Sequence, residues 1–292
     1  MCISNIYTAE RLSMGILEIN NLCKKYKSFS LDNVSFSLEE GYIMGFIGRN
    51  GAGKTTTLKS MLNFVHADSG SVSICGYDTK QDEFIVKNNI GFVSGLDGFY
   101  NSKKLKTVTN VTKRFFKNWN ENLYKDLLHK FNLDENKLIG SLSAGMKVKY
   151  QIALAMSHDA KLLILDEPTS GLDPVSRDEL VILFQDYVAD GNRSILFSTH
   201  IISDLEKCAD FITYIKNGKI YKSTDIVTFK DSYLLVSGKV ENLSAELQSK
   251  IIGFHKHSFG FEGMIQIVDK DLFSFCEITK PSLEEIMVHI ER

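Results

Sequence analysis

No stretch of this sequence stays apolar for the ~18 residues that a membrane span needs, so the chain is not expected to cross a bilayer alone. Cysteine is scarce. The five, Cys2, Cys23, Cys75, Cys208 and Cys276, fit neither a zinc knuckle nor a disulfide framework, and the odd count favours a reducing compartment. Net charge is also nearly missing: −2 over 292 residues gives no global attraction to nucleic acid or to an acidic membrane. The lysine groups at 24, 25 and 27 and at 103, 104 and 106 read as solvated faces. Sustained heptads, internal repeats and a signal-peptide pattern are absent too. Met14 opens a more convincing start than Met1, so the first thirteen residues are expected to be disordered or an alternative start. What remains is the composition of a folded chain, 43% hydrophobic and 24% charged, long enough for one large core and a small appendage.

Two glycine-rich stretches stand out in it, G-R-N-G-A-G-K-T-T at 48–56 and L-S-A-G-M at 142–146. Alternating apolar and polar residues predict partly exposed strands over 16–22 and 34–38, joined by a polar connection, 24–30, that carries Tyr26. The apolar run 42–47, the first glycine stretch and a helical T-T-L-K-S-M-L-N-F then follow as strand, loop and helix. Strands are predicted over 70–76 and 89–94, and a helical pattern over 107–131, where Leu123, Leu127 and Phe131 recur at every fourth position. A helix over 143–156 aligns Val148, Ile152 and Ala155. The run 162–165 reads as a buried parallel strand ending in Asp166 and Glu167. A helix over 180–188, a strand over 194–198 and a hairpin over 211–221, turned by Asn217 and Gly218, continue the α/β alternation. After about Ser223 short strand-like runs (234–236, 264–268) alternate with polar stretches, and a last helix starts at Ser282 with Glu285 placed for a capping box. The expected division is a nucleotide-binding domain over 14–224 and a small α+β appendage over 225–292.

The first glycine stretch matches G-x-x-x-x-G-K-[ST] in full at Gly48, Gly53, Lys54 and Thr55, with Asn50, Gly51, Ala52 and Thr56 completing the loop. Its glycines let successive N–H groups turn onto a phosphate, Lys54 reaches the β- and γ-phosphates, and the Thr55 hydroxyl ligates Mg²⁺. An aspartate ending a buried strand is expensive unless it holds something, so Asp166 is the second candidate for the metal. Glu167 is then placed to orient or deprotonate the attacking water. The same Asp-Glu pair also fits a helix cap, since Pro168 and Thr169 follow. His200, after the strand I-L-F-S-T, is a candidate γ-phosphate sensor or partner of Glu167, and otherwise an ordinary surface histidine. The second glycine stretch precedes a helix but has no lysine and no metal ligand, so it is half a site.

On these residues the chain resembles the ATP-binding subunits of ABC transporters, through most of 16–222. The resemblance implies a P-loop NTPase of ABC type, with a mixed sheet core, an antiparallel β subdomain and a helical subdomain over about 95–158. It implies that Leu142, Ser143, Ala144, Gly145 and Met146 stand in the signature motif, which caps ATP bound to the opposite subunit of a head-to-tail dimer. It makes Glu167 the catalytic glutamate, His200 the switch histidine, 170–173 the D-loop that carries Asp173 across the dimer interface, and Tyr26 the aromatic that stacks on adenine. The segment 95–130, rich in Phe99, Tyr100, Phe115, Phe116 and Trp119, resembles the subdomain that meets a permease; packing inside the subdomain accounts for most of these rings, and one or two exposed would fit a docking surface.

Two departures from the family pattern matter. The signature reads S-A-G-M rather than S-G-G-Q: the Ala144 methyl is tolerable at negative φ, Gly145 is the tighter position, and Met146 loses a polar side-chain end. The continuation, Lys147 to Lys149, and T-H-I-I-S-D-L-E at 199–206 are similar to a branch of Gram-positive antibiotic and peptide exporters. In the stretch I-G-F-V-S-G-L-D-G-F-Y, Ser94 and Gly95 stand where the family carries proline and glutamine. Ser94 or Asp97 could hydrogen-bond a metal-bound water, whereas Gly95 cannot, so coupling to the permease is put in question while Mg²⁺, which keeps several waters, can stay. The expectation is an ATP- and Mg²⁺-dependent ATPase at the inner face of the cell membrane. It pairs with itself or a sibling chain, binds no nucleic acid and powers a separate transmembrane permease that exports a drug, peptide or lipid-like substrate. The alternative is a cytosolic regulatory ATPase of the same type that does not transport.

Overall fold

The computed structural model describes residues 15–94 and 100–292. The expectations for residues 1–13 and for Gly95, Asp97 and Phe99 lie outside the described residues. The first strands are longer than alternation alone suggested. β1 (Leu17–Lys25) and β2 (Ser30–Leu38) pair antiparallel through Lys24–Leu31 and Lys25–Ser30, so that only 26–29 are left to turn. After β3 (Ile43–Ile47) and α1 (Lys54–Met61), β4 (Ser69–Ile74) and β5 (Tyr77–Asp78) complete a sheet of order β2-β1-β4-β5.

The second sheet positions the chemistry. With α2 (Glu83–Asn89) leading into β6 (Ile90–Ser94), and with β7 (Leu162–Asp166), β8 (Ser194–Ser198), β9 (Phe211–Lys216) and β10 (Lys219–Asp225), its order is β10-β9-β3-β8-β7-β6. All neighbours are parallel except the β9–β10 hairpin, which turns through left-handed Asn217 and Gly218 as expected. Alternate residues serve two cores. Ile43, Ile47, Leu163, Leu165, Ile195 and Phe197 face the helices, while Met44, Phe46, Leu162, Ile164 and Leu196 face the antiparallel sheet. Both faces are covered, which is why these strands read as unbroken apolar runs.

The helical pattern over 107–131 is not one helix. α3 (Leu105–Thr112) ends in a short 3-10 turn, 116–120 is extended or turned, and α4 (Glu121–Lys130) restarts with Asn120 capping Leu123 N–H at 3.0 Å. α5 (Ala144–Met156) buries Val148, Ile152 and Ala155, and α6 (Pro174–Val188) starts six residues earlier than its apolar pattern, because Asp173 caps it and Pro174 is its first residue. Of the aromatics in this region, Phe116 stacks on buried His158 (centroids 3.8 Å apart) and Trp119 packs against the core, whereas Tyr100 and Phe115 are exposed. No described helix is long and apolar enough to cross a membrane.

The stack on His158 has a measurable consequence. Burial pushes its imidazole down from 6.5 to about 4, so the fold holds the neutral ring. Between those values the unfolded chain binds the extra proton, and stability must fall as pH drops through that window, by about 3 kcal/mol at most for this one group. Urea midpoints followed from pH 7 to 4 should show this slope in the wild-type chain and lose much of it in His158→Phe. Equal slopes in both would remove His158 as the cause.

Past β10, Asp225 caps α8 (Ile226–Asp231); β11 (Tyr233–Gly238) is followed by the short helix α9 (Ala245–Ser249), and with β12 (Ile252–His257), β13 (Gly260–Gln266) and β14 (Glu277–Thr279) it forms a third, antiparallel sheet of order β12-β13-β11-β14. One face has its own core of Leu234, Val236, Phe261, Ile265 and Phe273. Tyr233 and Met264 point the other way and join the main core, together with Leu283, Ile286 and Ile290 of α10 (Leu283–Glu291). Ser282 and Glu285 form both bonds of the expected capping box.

Candidate active site

Because β3, β6, β7 and β8 are parallel, their C-terminal ends open on one edge of the sheet, the edge on which open α/β sheets bind ligands. The chain leaves β3 at Gly48, where a Cβ would stand 2.3 Å from the Ile215 carbonyl oxygen of β9. It enters α1 at Gly53, whose φ of 117° and contact with Phe29 and Leu31 also exclude a side chain. Between them Ala52 N–H donates to Arg49 O at 3.0 Å and Gly218 N–H to Ala52 O at 2.9 Å, so the loop is fixed on the β9–β10 hairpin.

Lys54 is buried. Its Nζ donates to Gly48 O at 2.7 Å and reaches Arg49 O at 3.4 Å, which curls the side chain over its own loop. Burial lowers its pKa, against the pull of Glu167 and Asp166. Thr55 Oγ1 donates to Asp166 Oδ2 at 3.0 Å, while Asp166 Oδ1, also buried, has no hydrogen-bond partner. An orphaned carboxylate oxygen beside a hydroxyl, at the mouth of a phosphate loop, suits Mg²⁺, which takes few protein ligands and keeps its waters and substrate phosphates. Ser94 is paired with Asp166 across β6–β7, and its N–H donates to Gln151 Oε1 at 3.1 Å.

Glu167 leaves β7 at φ 55°, left-handed for a residue with a side chain, a conformation that costs about 1 kcal/mol. Its N–H donates to Ser198 O at 2.8 Å, which holds the turn. Its carboxylate is thereby aimed between two side-chain nitrogens: Oε1 is 4.0 Å from Lys54 Nζ, and Oε2 is 2.6 Å from His200 Nδ1, with Thr199 Oγ1 at 3.4 Å. Neither Asp166 nor Glu167 caps a helix. Asp173 does, accepting from Val175 and Ser176 N–H, which lowers its pKa.

The cleft here, of about 500 Å³, is lined by Ser28, Phe29, Arg49, Asn50, Gly51, Gly53, Lys54, Thr55, Thr56 and Glu167. Tyr26 is 43% exposed, outside that lining, with Lys24 Nζ 5.8 Å from its ring centroid. Phe29, Ser28 and Arg49 were not singled out in the sequence. The first two sit in a connection that read as polar, and Arg49 occupies a position that the motif leaves open. Thr199 was hidden likewise, although it directly precedes His200.

None of the residues 143–146 lines the cleft, so the two glycine stretches do not meet on one nucleotide within a chain. Ser143 caps α5, accepting from Met146 N–H at 3.2 Å. Ala144, its first residue, has negative φ and is exposed, so its methyl is accommodated. Gly145 is tight for another reason: a Cβ there would stand 2.4 Å from Leu172 Cδ2. Met146 packs its side chain against the core.

The comparisons agree with this geometry. Residues 31–170 match the family model described as ABC transporter. The bacitracin transport ATP-binding protein BcrA of Bacillus licheniformis is 30% identical over 258 residues, which cover 86% of this chain and 84% of that protein. The lantibiotic transport ATP-binding protein SrtF of Streptococcus pyogenes is 34% identical over 215 residues, 70% of this chain and 89% of that protein. A solved structure described as the ATP-binding subunit of an ABC transporter has a TM-score of 0.68 and 26% identity, covering 74% of this chain and 92% of its own.

Proposed function

The chain belongs to the ABC transporter family of ATP-binding subunits, and from that premise we propose how its residues share the work. Loop 48–56 and Lys54 hold the phosphates of ATP, and Tyr26 stacks on its adenine. Thr55 and, through water, Asp166 would hold Mg²⁺, which when bound neutralises charge on the phosphate oxygens. Glu167 orients water for in-line attack on the γ-phosphorus and takes its proton; the bond to the bridging oxygen breaks, leaving ADP and phosphate. His200 fixes that carboxylate and reads the γ-phosphate. Residues 143–146, with Asp173, complete the site of a second chain, identical or a sibling.

The catalytic unit is the domain 14–224, with 225–292 as an appendage. Its partner is a separate permease, docked on exposed Tyr100 and Phe115, at the inner face of the cell membrane. The bacitracin and lantibiotic relatives support a peptide or drug as the exported substrate.

One observation carries the enzymatic reading: the Glu167 carboxylate is suspended between Lys54 and His200 at the lip of the phosphate loop. The test is Mg²⁺-dependent ATP hydrolysis by the purified chain, with specific activity rising with chain concentration as a dimer requires. His200→Ala should lower kcat by about 10²-fold. The assignment fails if the chain binds ATP no better than Lys54→Ala does.

A further inference from the structure

The C-terminal helix ends beside the phosphate loop. Its Glu291 Oε2 is 3.9 Å from Arg49 Nη1, an ion pair at the outer limit of contact. The two members differ in how firmly they are held. Glu291 is 16% exposed, and its other oxygen accepts the Tyr214 hydroxyl. One residue earlier, the Ile290 carbonyl accepts Lys216 Nζ, which satisfies an orphan acceptor at the negative end of α10. Both anchors belong to β9, the strand whose Ile215 carbonyl blocks a side chain at Gly48. The carboxylate is therefore fixed to the wall on which the loop rests. Arg49, by contrast, is 69% exposed and lines the same cleft as Lys54 and Thr55.

A guanidinium presents a planar fork of donors that matches phosphate oxygens two at a time, and such charge-assisted bonds outrank an exposed pair with a carboxylate. We propose that Arg49 is a phosphate-binding side chain of this site, and that Glu291 is the carboxylate that competes with the nucleotide for it. The C-terminal appendage then sets nucleotide affinity: whatever draws α10 away from β9 releases Arg49 to the phosphates. This rests on the reading that loop 48–56 holds the phosphates of ATP.

Equilibrium binding of ATP to the full chain at fixed ionic strength tests it, with thermal midpoints as folding controls. Arg49→Ala should raise Kd by about tenfold, the loss of a charge-assisted contact, and Arg49→Lys should recover part of it. Glu291→Gln keeps an acceptor for Tyr214 and should lower Kd by about threefold, the scale of an exposed ion pair. In the double variant Arg49→Ala, Glu291→Gln, the effect of Glu291 should vanish. If it persists undiminished there, Glu291 acts only through its charge at a distance, and the competition is overturned. A Kd within twofold of wild type in Arg49→Ala would overturn the phosphate contact itself. Failure of the underlying reading looks different: Lys54→Ala would then bind ATP as the wild-type chain does.

Discussion

Glu167→Gln is expected to lower kcat for ATP hydrolysis by about 10³-fold, within the range that a positioned general base contributes. It should still bind ATP and should accumulate as a dimer holding two nucleotides. The amide has the shape of the carboxylate and keeps an oxygen for the contacts that Thr199 and His200 make with Glu167. The left-handed backbone at this position costs glutamine no more than glutamate. What it loses is basicity, so the ATP that closes two chains together is not consumed. Light scattering of the variant with and without Mg-ATP reads the mass, and a nucleotide count on the dimer reads its occupancy. Two ATP per dimer would mean that 143–146 can cap the cleft of an identical chain. If ATP binds but the mass stays that of one chain at high concentration, the homodimer is wrong, and the second half-site must come from a sibling or need the permease in place.

Gly48→Ala should be as damaging by a different route. The added methyl would stand 2.3 Å from the Ile215 carbonyl, and that oxygen cannot move aside, since β9 is hydrogen-bonded to β3 on one side and β10 on the other. The loop must lift, at a cost of about 3 kcal/mol, in the upper range for a single overpacked position. At this chain length that lowers the thermal midpoint by about 5 °C. ATP affinity should fall by more than about tenfold, because the lifted N–H groups no longer point at the phosphates. Gly51→Ala is the control. It also has a positive φ, of 84°, but a Cβ there meets nothing within 4 Å, so only the backbone penalty of about 1 kcal/mol remains. Equal losses in the two variants would mean that φ rather than the wall of β9 explains Gly48.

These examples also mark how far the sequence could be read. The strand, glycine loop and helix at 43–61 were legible because the motif is local: each residue's role depends on neighbours within one turn. So were the Asn217–Gly218 turn and the Ser282 capping box, for the same reason. Asp166, Glu167 and His200 could be named individually, but their mutual contact depends on β7 and β8 lying side by side, which no local pattern states. The break at 116–120 was hidden because Leu123, Leu127 and Phe131, which carry the helical pattern, all lie beyond it, in α4 and at its end. In the appendage Tyr233 and Leu234 are adjacent yet serve different cores, so its short runs did not reveal that one face of its sheet belongs to the main body. The pair Arg49–Glu291 joins the phosphate loop to a helix far along the sequence, and nothing local to either announces the other.

Gly145 keeps a negative φ, so glycine is there for clearance rather than for backbone freedom, and what needs the clearance is Leu172. The start of α5 and the stretch that presents Asp173 therefore pass close to each other, with the Leu172 side chain in the gap. A methyl at position 145 would displace the end of the Leu172 side chain rather than either backbone. A probe attached near Asp173 is therefore expected to sense Gly145→Ala through the displaced Leu172 side chain, while α5 itself keeps its place.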